Sequence, residues 1–336
     1  MTKKMKIILG LVVAAGVVAG AISYKNANTS SPEIQEVEEA EKLNPVGPAF
    51  NADSALAYCA AQCDFGPRVM NSEAHDKCGE WIVSKFKQFG CEVETQKADL
   101  KGYDGTILKN TNIIAHYNPK AETRILLCAH WDSRPWADND PDPAMHNTPI
   151  DGANDGASGV AVLLETARLL GPVPPDSIGV DLLFVDVEDS GRSDGPDSDA
   201  TWCLGSREWV KQMPYTPANK PRYAILLDMV GGIGAKFHRE HFSHRSAPGV
   251  VDRVWAVARQ SGYADRFVNT PGGAVIDDHI NINNAGIPCI DIIESLNDAT
   301  GTFNPTWHTM ADNIKAIDPA SLKAVTQTVL NTIITP

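Results

Sequence analysis

The segment RILLCAHWD, residues 124–132, joins a short apolar run directly to a histidine and an aspartate. The same pattern recurs in GVDLLFVDVED, residues 179–189, which ends in Glu188 and Asp189. Short apolar runs of this kind are typical of strands that are buried on both faces of a parallel sheet. These two segments therefore predict central strands that end in chemically reactive side chains.

The rest of the chain alternates in the same way between strand and helix patterns. Further buried strands are expected at 223–227 (YAILL) and 288–293 (PCIDII), with edge strands near 91–98 and 111–117. Capped segments with helical periodicity lie at about 72–89, 158–170, 205–213, 249–261 and 319–334. This alternation predicts an α/β fold, with a mixed, mostly parallel central sheet and helices on both faces.

The N-terminal segment has the composition of a targeting sequence. Lys3, Lys4 and Lys6 precede the uncharged run IILGLVVAAGVVAGAISY, residues 7–24. A basic start followed by an apolar stretch indicates a signal peptide or, if it is not cleaved, an N-terminal membrane anchor. The chain is therefore expected to be exported, to the bacterial periplasm or the periplasmic face of the inner membrane.

Residues 25–48 are polar and rich in glutamate and proline, which predicts a linker. Residues 49–336 show one composition throughout and no internal repeat, so they are expected to form a single catalytic α/β domain. The 336-residue chain has 42 acidic and 29 basic residues, a net charge of −13. Such a surface repels phosphate backbones, so nucleic acid is not an expected partner. Seven cysteines include no CxxC pair, and whether Cys59 and Cys63 pair stays open.

Ionisable side chains cluster where the predicted strands end. They are His130, Asp132, Glu188, Asp189 and Asp228, with His308 in the loop after the last strand and Asp155 in a glycine-rich loop before a helix. Ligands of open α/β sheets bind beyond the carboxyl ends of the strands, so these groups are expected to converge. Two imidazoles with several carboxylates and no thiolate suit a catalytic zinc ion. The alternative, that each is a helix cap or a surface acid, is weaker for the whole set than for any one residue.

Taken together, these motifs resemble those of the glutaminyl cyclases, which are relatives of the zinc aminopeptidases of peptidase family M28. The motifs are His130-Trp131-Asp132, Gly152-Ala153-Asn154-Asp155-Gly156, Asp186-Val187-Glu188-Asp189, Leu227-Asp228-Met229, Asp277-Asp278-His279 and Trp307-His308-Thr309-Met310. The histidine-x-aspartate of the first motif, the Glu188-Asp189 pair and the final histidine, His308, are common to the aminopeptidases. The Asp-Asp-His and Trp-His-Thr-Met elements favour the cyclases.

The resemblance implies an aminopeptidase-like fold, one zinc ion per chain and substrates that are peptides or proteins with an N-terminal glutamine. It assigns the zinc ligands to Asp155, Asp189 and His308. It assigns the general acid/base to Glu188, a hydrogen-bonded acidic pair to Asp228 and Asp277, and the aromatic wall of the substrate pocket to Trp307 and Phe303. Ile276 stands where animal cyclases have a glutamine whose main chain contacts the substrate. His130 is then expected to be a hydrogen-bonding group held by Asp132, without a metal.

Two alternatives remain open. A zinc aminopeptidase would use the same scaffold, with His130 and Asp228 as ligands of a second zinc ion. A binding protein without catalysis is disfavoured because Glu188 is retained. The polar loop 191–201 is expected to affect substrate specificity, with Trp202 as a candidate for a further pocket tryptophan. The histidines of FHREHFSH, residues 237–244, are expected to lie in a solvated loop.

Overall fold

The computed structural model describes residues 47–171 and 178–335. The predicted signal or anchor, residues 1–24, and residues 25–46 of the predicted linker lie outside the described residues. None of the helices within the described ranges has the length and apolar character needed to cross a bilayer.

Helices and strands alternate along the described part of the chain. The helices are α1 (Ala52–Cys63), α2 (Glu73–Gln88), α3 (Ala157–Leu170), α4 (Leu204–Lys211), α5 (His241–Ser246), α6 (Pro248–Gln260), α7 (Asp278–Asn284) and α8 (Pro319–Ile334). The strands are β1 (Glu92–Lys101), β2 (Ile107–Tyr117), β3 (Thr123–His130), β4 (Ile178–Val185), β5 (Ala224–Leu227), β6 (Phe237–Arg239), β7 (Phe267–Pro271) and β8 (Cys289–Ile292). The five predicted helices and six predicted strands are all present, with ends that differ by a few residues.

Six strands form the central sheet in the order β1-β2-β4-β3-β5-β8. Strands β4, β3, β5 and β8 run parallel, whereas β1 and β2 are antiparallel to their neighbours. The parallel strands therefore deliver their carboxyl ends to one edge. This arrangement confirms the prediction of a mixed, mostly parallel sheet.

Helices cover both faces of the sheet because successive strand residues point in opposite directions. In β3, Ile125 and Leu127 belong to the apolar core shared with α1, α2, α3, α6 and α8. Their neighbour Leu126 instead packs with Trp209 of α4 and Ile282 of α7 on the opposite face. The unbroken apolar run in the sequence thus reflects burial on two sides.

A glycine in α3 brings this helix against the edge where the strands end. A Cβ atom at Gly159 would lie 2.2 Å from the carbonyl oxygen of Leu227, the last residue of β5. No other residue type fits at this separation. The close approach places the loop before α3 beside Asp228.

The histidine-rich segment corrects one expectation. Residues 237–239 form β6, which pairs with β7, and 241–246 form α5, so the predicted solvated loop is wrong. The helix is stabilised by Glu240, whose carboxylate accepts hydrogen bonds from the backbone N–H groups of Phe242 and Ser243. The seven cysteines are all free thiols, so Cys59 and Cys63 do not pair.

The core packing predicts the response to truncation of a central strand residue. Leu127→Ala removes a fully buried side chain from β3, which should lower the free energy of unfolding by about 2–5 kcal/mol. Ile107→Ala is the control, because Ile107 is 50% exposed and its truncation should change stability by about 0.5 kcal/mol or less. Urea unfolding of both variants measures the difference. Equal effects of the two substitutions would contradict this assignment of the core.

Candidate active site

Asp132 joins the ends of two neighbouring parallel strands. His130 is the last residue of β3, and Asp132 follows it in a fully buried position. One oxygen of Asp132 accepts a hydrogen bond from the N–H of Glu188 and the other from the N–H of Asp189, each at 3.2 Å. The loop after β4 is therefore held against the end of β3, and this contact fixes where both acids point.

A second buried acid holds the loop that carries Asp155. Asp312 accepts hydrogen bonds from the N–H groups of Asn154, at 2.7 Å, and Asp155, at 3.1 Å. Gly156 has φ +91°, and a Cβ atom there would lie 2.9 Å from the ring of His130. The loop can approach the strand ends because this position is glycine.

The three predicted metal ligands lie together. Donor atoms of Asp155, Asp189 and His308 all lie within 4.8 Å of one another, and the three residues are buried. His308 Nε2 is 3.3 Å from Asp189 Oδ1 and 3.5 Å from Asp155 Oδ2. Asp189 Oδ2 is buried without a hydrogen-bond partner. Two carboxylates and an imidazole, one carboxylate oxygen being unsatisfied, fit a zinc-type metal ion.

Arg134 and Asp138 support this cluster from outside, and sequence reasoning missed both. Asp138 Oδ1 is 3.4 Å from His308 Nδ1, while Arg134 donates to Asp138 at 2.8 and 2.6 Å. Arg134 also donates to the backbone oxygen of Asp189 at 2.9 Å. Although burial opposes ionisation of Asp138, Arg134 and His308 hold its pKa well below the usual range. The pair therefore orients two of the three ligands.

A second group of possible ligands shares Asp155 with the first. His130 Nε2 is 3.0 Å from Asp155 Oδ1 and 3.2 Å from Asp228 Oδ1, and the donor atoms of the three residues lie within 4.8 Å. The expected partner, Asp132, is 3.5 Å from His130 Nδ1, which has no hydrogen-bond partner. His130 is thus held by Asp155 and Asp228 more closely than by Asp132.

Three further acids, Glu188, Asp228 and Asp277, line the cavity together with the three possible metal ligands. Removal from water raises the pKa of Glu188 well above its usual value, and Asp189 and Asp277 add to the shift. Burial likewise raises the pKa of Asp277, with Asp228 as the next cause. Asp277 caps α7, and Asp228 contacts His130. Among the described residues no hydrogen bond joins Asp228 to Asp277, so the pair that the resemblance implies is electrostatically coupled but not bonded.

The cavity has a volume of about 290 Å³ and combines acids with an aromatic wall. The rings of Phe303 and Trp307 lie 4.6 Å apart, and Trp307 stacks on His308 at 4.0 Å. Trp202 also lines the cavity, with its ring 6.0 Å from that of His308. Ile276 lies at the rim and is 42% exposed. Ser193, Ser198 and Asp199 from the loop 191–201 also line the cavity.

Unusual backbone conformations concentrate around this site. Six described non-glycine residues have positive φ, and two of them are asparagines, which tolerate this region. The other four are Val187, Cys203, Met229 and His308, with φ between 47° and 55°. Val187 precedes Glu188, Met229 follows Asp228, and His308 is a predicted ligand. Strain of this kind persists where the surrounding contacts fix the backbone, often at functional sites.

Several known proteins are similar to this chain in sequence and in fold. The glutaminyl cyclase of Bacteroides thetaiotaomicron, solved with bound N-acetylhistamine, is 48% identical with a TM-score of 0.83, covering 86% of this chain and 99% of that one. A zinc-dependent exopeptidase of Parabacteroides distasonis is also 48% identical, with a TM-score of 0.81 and coverages of 86% and 99%. The glutaminyl-peptide cyclotransferase of Drosophila melanogaster is 26% identical over 280 residues, 76% of this chain and 73% of that protein.

A family profile also matches this chain, and it names the superfamily that the sequence motifs predicted. Residues 112–333 match peptidase family M28, and this range includes every predicted ligand and catalytic residue. The range begins within β2 and ends in α8, so it contains the whole parallel part of the sheet. The chain therefore belongs to peptidase family M28.

Proposed function

We propose that this protein is a zinc-dependent glutaminyl-peptide cyclotransferase, which converts the N-terminal glutamine of peptides and proteins to pyroglutamate and releases ammonia. The observation that carries the proposal is that Glu188 lines the same small cavity as the three possible metal ligands, and that this cavity has an aromatic wall. A cavity of about 290 Å³ suits one small amide-bearing residue better than an extended peptide. Relatives named as glutaminyl cyclases support the same activity.

The reaction needs little beyond proximity and proton movement. The α-amine of the glutamine attacks its own γ-carboxamide carbon, and the intramolecular geometry removes most of the entropic cost. A zinc ion held by Asp155, Asp189 and His308 would act as a Lewis acid towards the carbonyl oxygen. Glu188 accepts a proton from the attacking amine and returns it to the leaving nitrogen.

The remaining residues bind and orient the substrate. Asp277 lines the cavity and can accept a hydrogen bond from the amide nitrogen of the substrate. Asp228, which directly follows β5, lines the same cavity and restricts where this amide can lie. Trp307 and Phe303 pack against the aliphatic part of the glutamine, and the main chain at Ile276 lies at the rim where the peptide leaves. Small volume and aromatic packing exclude bulk water from the reacting atoms.

One observation favours a second candidate, a zinc aminopeptidase. The donor atoms of His130, Asp155 and Asp228 are close enough to hold a second ion beside the first cluster. A dinuclear centre would activate a water molecule and hydrolyse the first peptide bond. The two activities give different products from one peptide, because the cyclase releases ammonia and the aminopeptidase releases free glutamine.

The first prediction about function concerns the products and the role of Glu188. Incubation with a Gln-initiated peptide should release ammonia and yield a peptide 17 Da lighter by mass spectrometry, about the mass of NH₃, without free glutamine. Glu188→Gln keeps the size of the side chain but removes its capacity to accept a proton. Its kcat should therefore fall by roughly 10²–10⁴-fold with unchanged metal content.

Glu165→Gln is the matched control for this variant. Glu165 is buried in α3 and pairs with Arg168, away from the cavity, so its loss should affect stability more than kcat. Near-wild-type cyclisation by Glu188→Gln would show that Asp228 or Asp277 moves the proton. Release of free glutamine by the wild type would favour the aminopeptidase.

The second prediction concerns the metal. We expect one zinc ion per chain, and Asp189→Ala should lose both the metal and the activity. The variant should also lose the stabilisation that bound metal gives, which is about 2.7 kcal/mol when the free ion is at 100 times its Kd. Asp252→Ala, which removes an exposed aspartate that pairs with Arg239, should keep the metal. Elemental analysis and thermal unfolding measure both effects, and two zinc ions per wild-type chain would argue for the aminopeptidase.

The third prediction concerns location, which follows from residues 1–24. The basic start and apolar run support export to the periplasm, as a tethered or a released domain. Cell fractionation should recover the protein with the membrane or the periplasm, and deletion of residues 2–24 should retain it in the cytosol. Full-length protein in the soluble cytosol would contradict export.

A further inference from the structure

Cys203 contacts Glu188 twice. Its backbone N–H donates to the carbonyl oxygen of Glu188 at 3.1 Å, and its thiol sulfur lies 3.4 Å from Glu188 Oε1. Cys203 is 1% exposed and stands directly before α4, at the end of the loop 191–201. Within residues 47–171 and 178–335, the thiol is the only recorded hydrogen-bond donor to the Glu188 carboxylate.

We propose that Cys203 is a positioning residue for the general base: its thiol engages Oε1 of Glu188 and thereby turns Oε2 towards the amine of the substrate. The inference rests on the role of Glu188 in the proposed function. A carboxylate with one oxygen held can rotate less than a free one. Proton transfer depends on this orientation, since the base must lie within hydrogen-bond reach of the amine.

The backbone of Cys203 is held in place by contacts with two helices. The carbonyl oxygen of Cys203 accepts hydrogen bonds from Ser206 Oγ in α4, at 3.1 Å, and from Asn281 Nδ2 in α7, at 3.4 Å. The next residue, Leu204, donates its N–H to the carbonyl oxygen of Val187 at 2.9 Å. These contacts maintain the left-handed backbone at Cys203, where φ is 55°.

A thiol suits this position chemically. Burial raises the pKa of Cys203 well above its usual value, and Asp278 and Glu188 add to the shift, so the sulfur keeps its proton and can donate it. An S–H group is a weak donor, so it orients a carboxylate while leaving most of its basicity. An amide or guanidinium donor in the same place would stabilise the anion more strongly and weaken the base.

The fourth prediction tests the hydrogen bond through two substitutions at one position. Cys203→Ala removes the donor and should lower kcat for a Gln-initiated peptide by about tenfold, with little change in KM, because the substrate contacts remain. Cys203→Ser replaces the donor by a hydroxyl group and should recover most of the loss, to within about threefold of wild type. Cys78→Ala, which removes a fully buried thiol from α2 remote from the cavity, should leave kcat unchanged.

The comparison separates positioning from packing. If Cys203→Ala keeps a kcat within twofold of wild type, or if the Ser variant is as slow as the Ala variant, the inference is overturned. It is also overturned if both variants lose zinc or melt at a much lower temperature in proportion to their loss of activity. Wild type and Glu188→Gln are measured in the same assay. Absence of ammonia release by the wild type would refute the proposed function, and an active Glu188→Gln would refute the role of Glu188 on which this inference rests. A slow Glu188→Gln with an unaffected Cys203→Ala would overturn the inference alone.

Discussion

The two hydrogen bonds from the backbone of Glu188 and Asp189 to Asp132 are the interaction on which the site depends. Burying a carboxylate is costly unless its oxygens are satisfied, and here each oxygen has an N–H donor. Glu188 and Asp189 are adjacent in sequence but serve different purposes, one at the cavity and one in the metal cluster. The orientation of their backbone directs the Glu188 side chain to the cavity and the Asp189 side chain to the other possible ligands. Asp132, which follows the neighbouring strand β3, holds that orientation.

The charge balance of the site favours binding of a cation. Asp155, Asp189, Glu188, Asp228 and Asp277 approach one another in a region with little water. The nearby positive groups are His130, His308 and Arg134. Burial raises the pKa of Glu188 and Asp277, and the neighbouring acids raise it further. A divalent ion bound by Asp155, Asp189 and His308 would offset part of the repulsion between these acids.

The sequence predicted the features that depend on local pattern. Buried parallel strands appear as apolar runs, and the geometry of the sheet brings their reactive ends together, so a group of candidates that includes Asp155, Asp189 and His308 could be named in advance. The resemblance to the glutaminyl cyclases then singled out these three as ligands. The local pattern missed α1, α5, α7 and the β6–β7 pair. Helices α5 and α7 have six and seven residues and rely on single caps, Glu240 and Asp277, rather than on periodicity.

The supporting residues of the site were not predictable for a different reason. Arg134 and Asp138 act on ligands that lie far away in sequence, and nothing in the run around Asp138 separates it from Asp140 or Asp142. The contact between Cys203 and Glu188 likewise depends on the path of the loop 191–201. Such partners are set by the tertiary fold, which brings together residues that lie far apart in the sequence.

The two oxygens of Asp155 face different groups of possible ligands. This arrangement bears on the difference between a cyclase with one metal ion and an aminopeptidase with two. Oδ2 faces His308 and the first ligand cluster, while Oδ1 contacts His130 and faces the second. While Oδ1 is in contact with His130, Asp155 has one oxygen left for a single ion, and His130 and Asp228 form a polar wall joined by a hydrogen bond. A second ion would have to displace the contact between His130 and Asp155. Binding of a second ion would therefore depend on how firmly His130 is held between Asp155 and Asp228, at 3.0 and 3.2 Å in this chain.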